Sequence, residues 1–368
     1  MTLREVIEQE IREHGPIPFS RYMDLCLYHA ELGYYSRHAQ QFGKAGDFYT
    51  SSDVHAVYGR LLARQFDQMW EGLDRPASIN IVELGPGRGL FARDVLDWSR
   101  KKFPGFYDAA HYLLVERSAR LRQKLEQVLT EHIGADKVSI NAELNVEQDT
   151  PTIIFANEFF DALPVEVLSY HGELRVDWNA GRFQEVFVSP TAAECEYMDR
   201  YSVHPEEGER VEAGLVALDW VRKIAASLLR GFVVLVDYGY TRDELLAGRH
   251  RGTIMCYRQH SASPDPYQAP GEQDITAHVN FSALQGVGEA SGLTTLGLVT
   301  QAQFLMGIGE STQFADALED AKLPQEQAKV MLQLKHLVTP AGMGETFQVL
   351  VMAKNLGEAK LDGLTFSR

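Results

Sequence analysis

No stretch of about 20 uninterrupted apolar residues occurs in this 368-residue chain, so no membrane-spanning helix is expected. Cysteine is scarce: Cys26, Cys195 and Cys256 are far apart, odd in number and without a C-x-x-C pair. That excludes a disulfide framework and points to reduced thiols in a cytoplasmic setting. No group of His, Cys and carboxylate residues has zinc spacing, so no metal is expected. Positive charge is in deficit, with 35 Lys and Arg against 51 Asp and Glu and a formal net charge of −16. Non-specific binding to DNA or RNA needs a basic surface and is thereby excluded, whereas a basic partner or substrate is compatible. The first residues carry Arg4 and Glu5 and no long apolar run, so neither a secretory signal nor an Arg-rich transit peptide is expected. Internal repeats and low-complexity tracts are also lacking.

What is present reads as a globular protein: 45% hydrophobic and 23% charged residues. The first 75 residues are expected to form a helical cap. Leu3, Val6, Ile7 and Ile11 lie at helical spacing, Gly15-Pro16 stops that helix, and 19–27 suggests a second. Tyr58, Leu62, Phe66 and Met69 mark a third. From residue 76 strands and helices alternate, with strands expected at 79–84, 112–116, 138–141, 152–156, 232–237, 293–298 and 347–354. Their near-continuous apolar runs predict a doubly wound, mostly parallel α/β sheet over 76–368. A helix is expected over 211–229 with Gly231 as its C-cap. Alternation over 165–188, broken at His171-Gly172 and Asn179-Ala180-Gly181, predicts antiparallel hairpins in an insertion near 165–210. A second insertion near 249–280 is expected, its Pro-rich part 249–272 as a structureless binding loop or lid.

The most informative stretch is Ile79-Asn80-Ile81-Val82-Glu83-Leu84 followed by Gly85-Pro86-Gly87-Arg88-Gly89 and an apparent helix start. A strand, a tight glycine loop and a helix form the unit that cradles nucleotide-like cofactors. A dinucleotide fingerprint needs glycine at position 90, where Leu90 stands, which weighs against a nicotinamide oxidoreductase. E-L-G-x-G-x-G resembles instead the first motif of class I S-adenosylmethionine methyltransferases. Gly85, Gly87 and Gly89 allow close backbone approach. Glu116 ends the next apolar run and is expected to accept from the ribose hydroxyls. Glu83 is expected at the strand tip beneath the cofactor, and Gly46-Asp47 in a segment that covers it.

Methyl transfer from a sulfonium is an in-line displacement, so the acceptor must be aligned with the donor. Asn157-Glu158-Phe159-Phe160-Asp161 follows the fourth apolar strand, where Asn157 adjoins the cofactor and Glu158 and Asp161 could grip a guanidinium. Asp237, expected to end the fifth strand, is a further acceptor candidate or a turn stabiliser. His278 is a candidate general base or pocket wall. Tyr257 and His260 are weaker candidates.

Together these pieces resemble the MidA-like methyltransferases, the mitochondrial complex I assembly factor 7 family. The resemblance rests on Gly15-Pro16-Ile17-Pro18-Phe19, Met23, Gly33-Tyr34-Tyr35, Gly46-Asp47-Phe48-Tyr49-Thr50-Ser51, the loop from Glu83 to Gly89, and above all Asn157-Glu158-Phe159-Phe160-Asp161-Ala162-Leu163-Pro164-Val165. Asp237-Tyr238-Gly239 and Thr276-Ala277-His278-Val279-Asn280-Phe281 complete it. It implies a class I methyltransferase fold with an N-terminal helical cap and inserted β-hairpins, S-adenosyl-L-methionine as cofactor, and arginine of a protein as acceptor. It further implies a respiratory complex I subunit as the protein modified. The family pattern places an acid after the His-Val pair, and Asn280 stands here. The alternative reading is an assembly chaperone that retains the cofactor pocket without turnover. Oligomeric state is left open.

Overall fold

The structure, a computed structural model, describes residues 1–37, 56–147, 149–246, 251–258, 261–339, 344–357 and 359–367, and of Leu246 the backbone alone. The chain divides into two compact units. One comprises 1–48, 160–222 and 239–287, and the other 49–159, 223–238 and 288–368. The chain thus passes between them five times.

The second unit is built on seven strands that follow one path across an eight-stranded sheet. In chain order these seven are β1 (Ile79–Leu84), β2 (Ala110–Val115), β3 (Val138–Asn141), β4 (Thr152–Asn157), β5 (Gly231–Tyr240), β6 (Thr294–Thr300) and β7 (Phe347–Lys354). Across the sheet they run β6-β7-β5-β4-β1-β2-β3. The pairs from β5 to β3 are parallel, and β7 is antiparallel to both β5 and β6. Every residue of β5 is buried, as is every residue but one of β1, β2 and β4, which explains their continuous apolar runs. Helices Ala56–Gly72 and Leu90–Lys102 contribute Tyr58, Leu62, Phe66, Met69, Phe91 and Val95 to the core beside the sheet.

The first unit holds helices Leu3–His14 and Phe19–Tyr28 and two small sheets. Helix Leu3–His14 begins in a capping box. The Glu5 carboxylate accepts from the Thr2 amide at 2.8 Å, and the Glu5 amide donates to the Thr2 hydroxyl at 3.3 Å. It ends at Gly15, whose φ of 81° lets its N–H reach the Ile11 carbonyl. The inserted hairpins are Glu166–Ser169, Gly172–Asn179 and Arg182–Val188.

Four expectations are corrected. The helix over 211–229 is in fact a strand, Arg210–Ala213, followed by a helix at Leu215–Ser227. Arg210–Ala213 pairs antiparallel with Glu166–Ser169, and buried Glu212 accepts from the Thr253 amide and hydroxyl at 2.8 and 3.0 Å. Those distant partners outweigh helical propensity. Gly231 is no cap: it opens β5 at φ 150°, where a Cβ would fall 1.8 Å from the Thr152 carbonyl oxygen. The stretch 249–272 carries strands Met255–Arg258 and Ser261–Ser263, which pair with each other, and the first also pairs with Asp274–Thr276. Finally, β5 runs three residues past Asp237: β7 pairs with it one residue further, at Tyr238↔Phe347, and Gly239 and Tyr240 pair parallel with Val279 and Asn280.

Candidate active site

The carboxyl edge of the sheet is fixed by backbone bonds that each carry the ladder one residue past a strand. The Gly85 N–H donates to Val115 O at 3.0 Å, Glu116 N–H to Asn141 O at 2.9 Å, and Glu158 N–H to Val236 O at 2.9 Å. Register places Leu84 opposite Val115 on one side and Ala156 on the other. Glu116, Gly85 and Asn157 therefore lie level on three adjacent strands. Glu116 and Asn157 are separated by two strand spacings, roughly 10 Å.

The three loop glycines have different reasons. All have left-handed φ: 65° at Gly85, 51° at Gly87 and 71° at Gly89. At Gly85 a Cβ would meet Phe159 Cδ2 at 2.9 Å, and at Gly89 Leu125 Cδ2 at 2.7 Å. These two glycines serve packing, Gly89 at the start of helix Leu90–Lys102. At Gly87 a Cβ would meet nothing within 4 Å among the described residues. The open space lies over the one loop glycine that packing does not claim, which is the cradle a close-approaching ligand requires.

Comparison with known proteins assigns this architecture. A family model for S-adenosyl-L-methionine-dependent methyltransferases matches residues 61–299. The chain belongs to this family. A crystal structure of a methyl transferase from Burkholderia thailandensis, bound to S-adenosyl-homocysteine, superposes with a TM-score of 0.86 at 30% identity, covering 99% of this chain and 95% of that one. Protein arginine methyltransferase NDUFAF7, mitochondrial, from Bos taurus is 30% identical, over 95% of this chain and 82% of its own. The homologue from Drosophila melanogaster is 28% identical over 98% and 87%.

In this methyltransferase the cofactor is S-adenosyl-L-methionine, and the residues at the rim fit it. Glu116 is half-buried, and its Oε1 accepts from the Ser118 N–H at 2.6 Å, which fixes the carboxylate's orientation. Arg122 donates to the Glu116 carbonyl at 2.8 Å. Burial pushes the Glu116 carboxyl up to about 7, opposed by Ser118 N–H and Arg122.

Glu83 is buried on β1 and accepts from the Tyr112 hydroxyl at 2.9 Å. Burial pushes its carboxyl up to about 8 from an ordinary 4.5, with the Tyr112 bond acting the other way. It sits within the strand below the loop and not at the rim itself. The folded protein therefore holds a proton that the unfolded chain releases between about pH 4.5 and 8, so this site lowers stability as pH rises through that window. Glu83→Gln, which cannot ionise, should melt higher than the parent at pH 8, by roughly 1–2 °C for each kcal/mol in a protein of this size. The two should coincide near pH 4.5, and calorimetry at both pH values checks this. A variant that melts lower at pH 8 would mean that Glu83 is buried ionised.

Just past β4, Glu158 takes the left-handed region at φ 51°, unusual for a residue with a side chain. The Asn157 amide is engaged at both ends: its Oδ1 accepts from the Tyr58 hydroxyl at 3.0 Å, and its Nδ2 donates to Glu158 Oε1 at 3.1 Å. Asp237 is buried on β5, opposite Gln348 of β7, and accepts from the Tyr238 N–H at 3.0 Å. Gly46, Asp47 and His260 lie outside the described residues.

Asp161 and His278 belong to the first unit. Asp161 is buried and its carbonyl accepts from the Ala277 N–H at 2.9 Å. His278 is half-buried, and its N–H donates to the Thr253 hydroxyl at 3.0 Å. Asn280, where the family pattern has an acid, is buried. Its Oδ1 accepts from the Ala283 N–H at 3.1 Å at the head of helix Phe281–Ala290, and its Nδ2 donates to the Tyr201 carbonyl at 2.8 Å. An ionised carboxylate could cap that helix but could not donate to Tyr201. Tyr257 is half-buried, and burial, then Asp161 and Asp274, push its phenol up.

The sequence reading missed the buried polar partners: Tyr58, Tyr112 and Asp274, the last accepting from the Tyr35 hydroxyl at 3.1 Å. Tyr58 had a signal, since a phenol in an apolar helical stripe must place its hydroxyl on some partner. Among the described residues, the acidic group Glu166, Glu173 and Glu194 brings three carboxylates within 4.8 Å. Each is engaged: Glu166 by Ser20, Glu173 by Arg175, and Glu194 by the Thr191 amide of its own capping box.

Proposed function

We propose that this chain methylates arginine side chains of a protein, in the cytoplasm, with a respiratory complex I subunit as the substrate that the family resemblance points to. The observation that carries the reading is Glu158, pinned by its backbone at the carboxyl rim of β4, the strand beside the glycine-loop strand, with its carboxylate held by the Asn157 amide. S-adenosyl-L-methionine supplies an electrophilic methyl on its sulfonium. The protein's part is to hold and align. The backbone at Gly87 lets the cofactor approach closely, and Glu116 accepts its ribose hydroxyls. Glu158 accepts N–H bonds from a guanidinium, draws positive charge toward the nitrogens it contacts, and leaves electron density on the nitrogen facing the methyl. The net charge of −16 favours a basic segment around that arginine, and the relatives named as protein arginine methyltransferases support the choice of acceptor. Asp161, Asp237 and His278 enter this reading on sequence grounds.

The test uses the purified chain, methyl-labelled S-adenosyl-L-methionine and protein extract from cells lacking this chain. After acid hydrolysis, mass spectrometry should find the label in methylarginine. Label in other residues, or binding of a partner with no incorporation, would replace arginine methylation with another acceptor or with the chaperone reading.

The ribose contact brings a pH dependence. Glu116 is ionised above about pH 7, and the ionised form is the better acceptor for two hydroxyls. Affinity for the cofactor should therefore rise about tenfold between pH 6 and pH 8, the change in ionised fraction across that range. Glu116→Gln should bind more weakly at pH 8 and show no such slope. Isothermal titration at the two pH values checks both, and equal binding by parent and variant would remove Glu116 from the site.

A further inference from the structure

Tyr58 stands on helix Ala56–Gly72 and is 1% exposed. Its ring lies 5.6 Å from that of Phe91, within the core beside the sheet. Its hydroxyl is the only polar atom of that side chain, and it donates to Asn157 Oδ1 at 3.0 Å. Burial foremost, then Glu158 and Glu83, push this phenol well above its ordinary range, so it stays a donor at any working pH.

The consequence is directional. A permanent donor requires the carbonyl end of the Asn157 amide. An amide has one carbonyl end, so its NH2 end is turned elsewhere, and here it donates to Glu158 Oε1 at 3.1 Å. A neutral phenol thus fixes the polarity of a neutral amide, and the amide presents a donor to the carboxylate. That donor favours the ionised form and one orientation of the carboxylate. Glu158 itself is held at φ 51° with its N–H on Val236. Backbone and side chain are therefore constrained separately, by β5 and by a helix that precedes the glycine-loop strand.

We infer that Tyr58 is a positioning residue for the acceptor: through Asn157 it sets the orientation of Glu158, which makes helix Ala56–Gly72 part of the acceptor machinery. This rests on the reading of Glu158 given above. The alternative is that the hydroxyl satisfies a buried amide and nothing more.

The experiment compares Tyr58→Phe and Asn157→Asp with the parent in the labelled-methyl assay on the same protein extract. It follows initial rate against pH, cofactor affinity by isothermal titration, and melting temperature. Tyr58→Phe keeps the ring and its packing but frees the amide to turn. We expect about a tenfold lower rate at pH 7, cofactor affinity within about twofold, a melting temperature close to the parent's, and an acid limb of the rate profile moved to higher pH. Asn157→Asp places an acceptor where Glu158 needs a donor, so the acid limb moves further in the same direction. A parental rate and an unmoved limb in both variants overturn the inference. So does a rate loss that merely tracks a lower melting temperature with the limb in place. Failure of the underlying reading is separate: it would show as an active Glu158→Gln, whereas an inactive Glu158→Gln with parental Tyr58→Phe and Asn157→Asp sinks this inference alone.

Discussion

Gly87→Ala should weaken binding of S-adenosyl-L-methionine by about 100-fold or more, a loss of at least about 2.7 kcal/mol. Two effects combine. The backbone at 87 has φ 51°, which a residue with a Cβ adopts at a cost of about 1 kcal/mol. The added methyl also enters space that no atom of the described residues occupies within 4 Å, where the backbone has to meet its ligand closely. The strain alone should lower the melting temperature by only about 1–2 °C, so the binding loss should far exceed the stability loss. Gly134→Ala is the control. Its Cβ also meets nothing within 4 Å among the described residues, but its φ is not left-handed and it lies in the short helix Thr130–Gly134, outside the loop sequence. It should bind like the parent. Titration of both variants decides the matter, and parental affinity in Gly87→Ala would show that the cradle is not where the cofactor lies.

Glu158→Gln should lower the rate of methyl transfer by about 100- to 1,000-fold, the scale of about 3–4 kcal/mol expected when a charge-assisted pair to a guanidinium becomes a neutral contact. The substitution keeps the length and the backbone bond to Val236. It replaces a carboxylate oxygen that accepts from Asn157 by an amide that can present its own NH2 there. Cofactor affinity should stay within about twofold, because the ribose and glycine-loop contacts are untouched. A rate near the parental value would dismiss Glu158 from the chemistry. A parallel loss of cofactor binding would move it to the donor side.

Much of the fold was legible because its signals are local. β1, β3 and β7 stand at the expected residues, and Gly15-Pro16 ends the first helix where a C-cap and a helix breaker require it. The glycine loop was legible because three left-handed positions in five residues admit little else. What was illegible shares one cause. Arg210–Ala213 looks helical until Glu166–Ser169, over 40 residues earlier, is known to pair with it. Asp237 looks like a strand end until β7, more than 100 residues later, is seen to extend the ladder past it. Asn280 reads as a departure from a binding residue, but Tyr201 and the following helix claim its amide.

By itself, then, the chain's order of residues determined the strand–glycine loop–helix unit, the helix stops and the acids at the strand ends, since periodicity, capping and backbone strain act over a few residues. Only the tertiary structure decided what those acids touch. Glu83 meets Tyr112, and Glu158 meets the Asn157 amide, which is itself engaged by Tyr58. A buried polar group takes its partner from whatever the packed core brings within hydrogen-bond reach, and sequence distance does not constrain that choice.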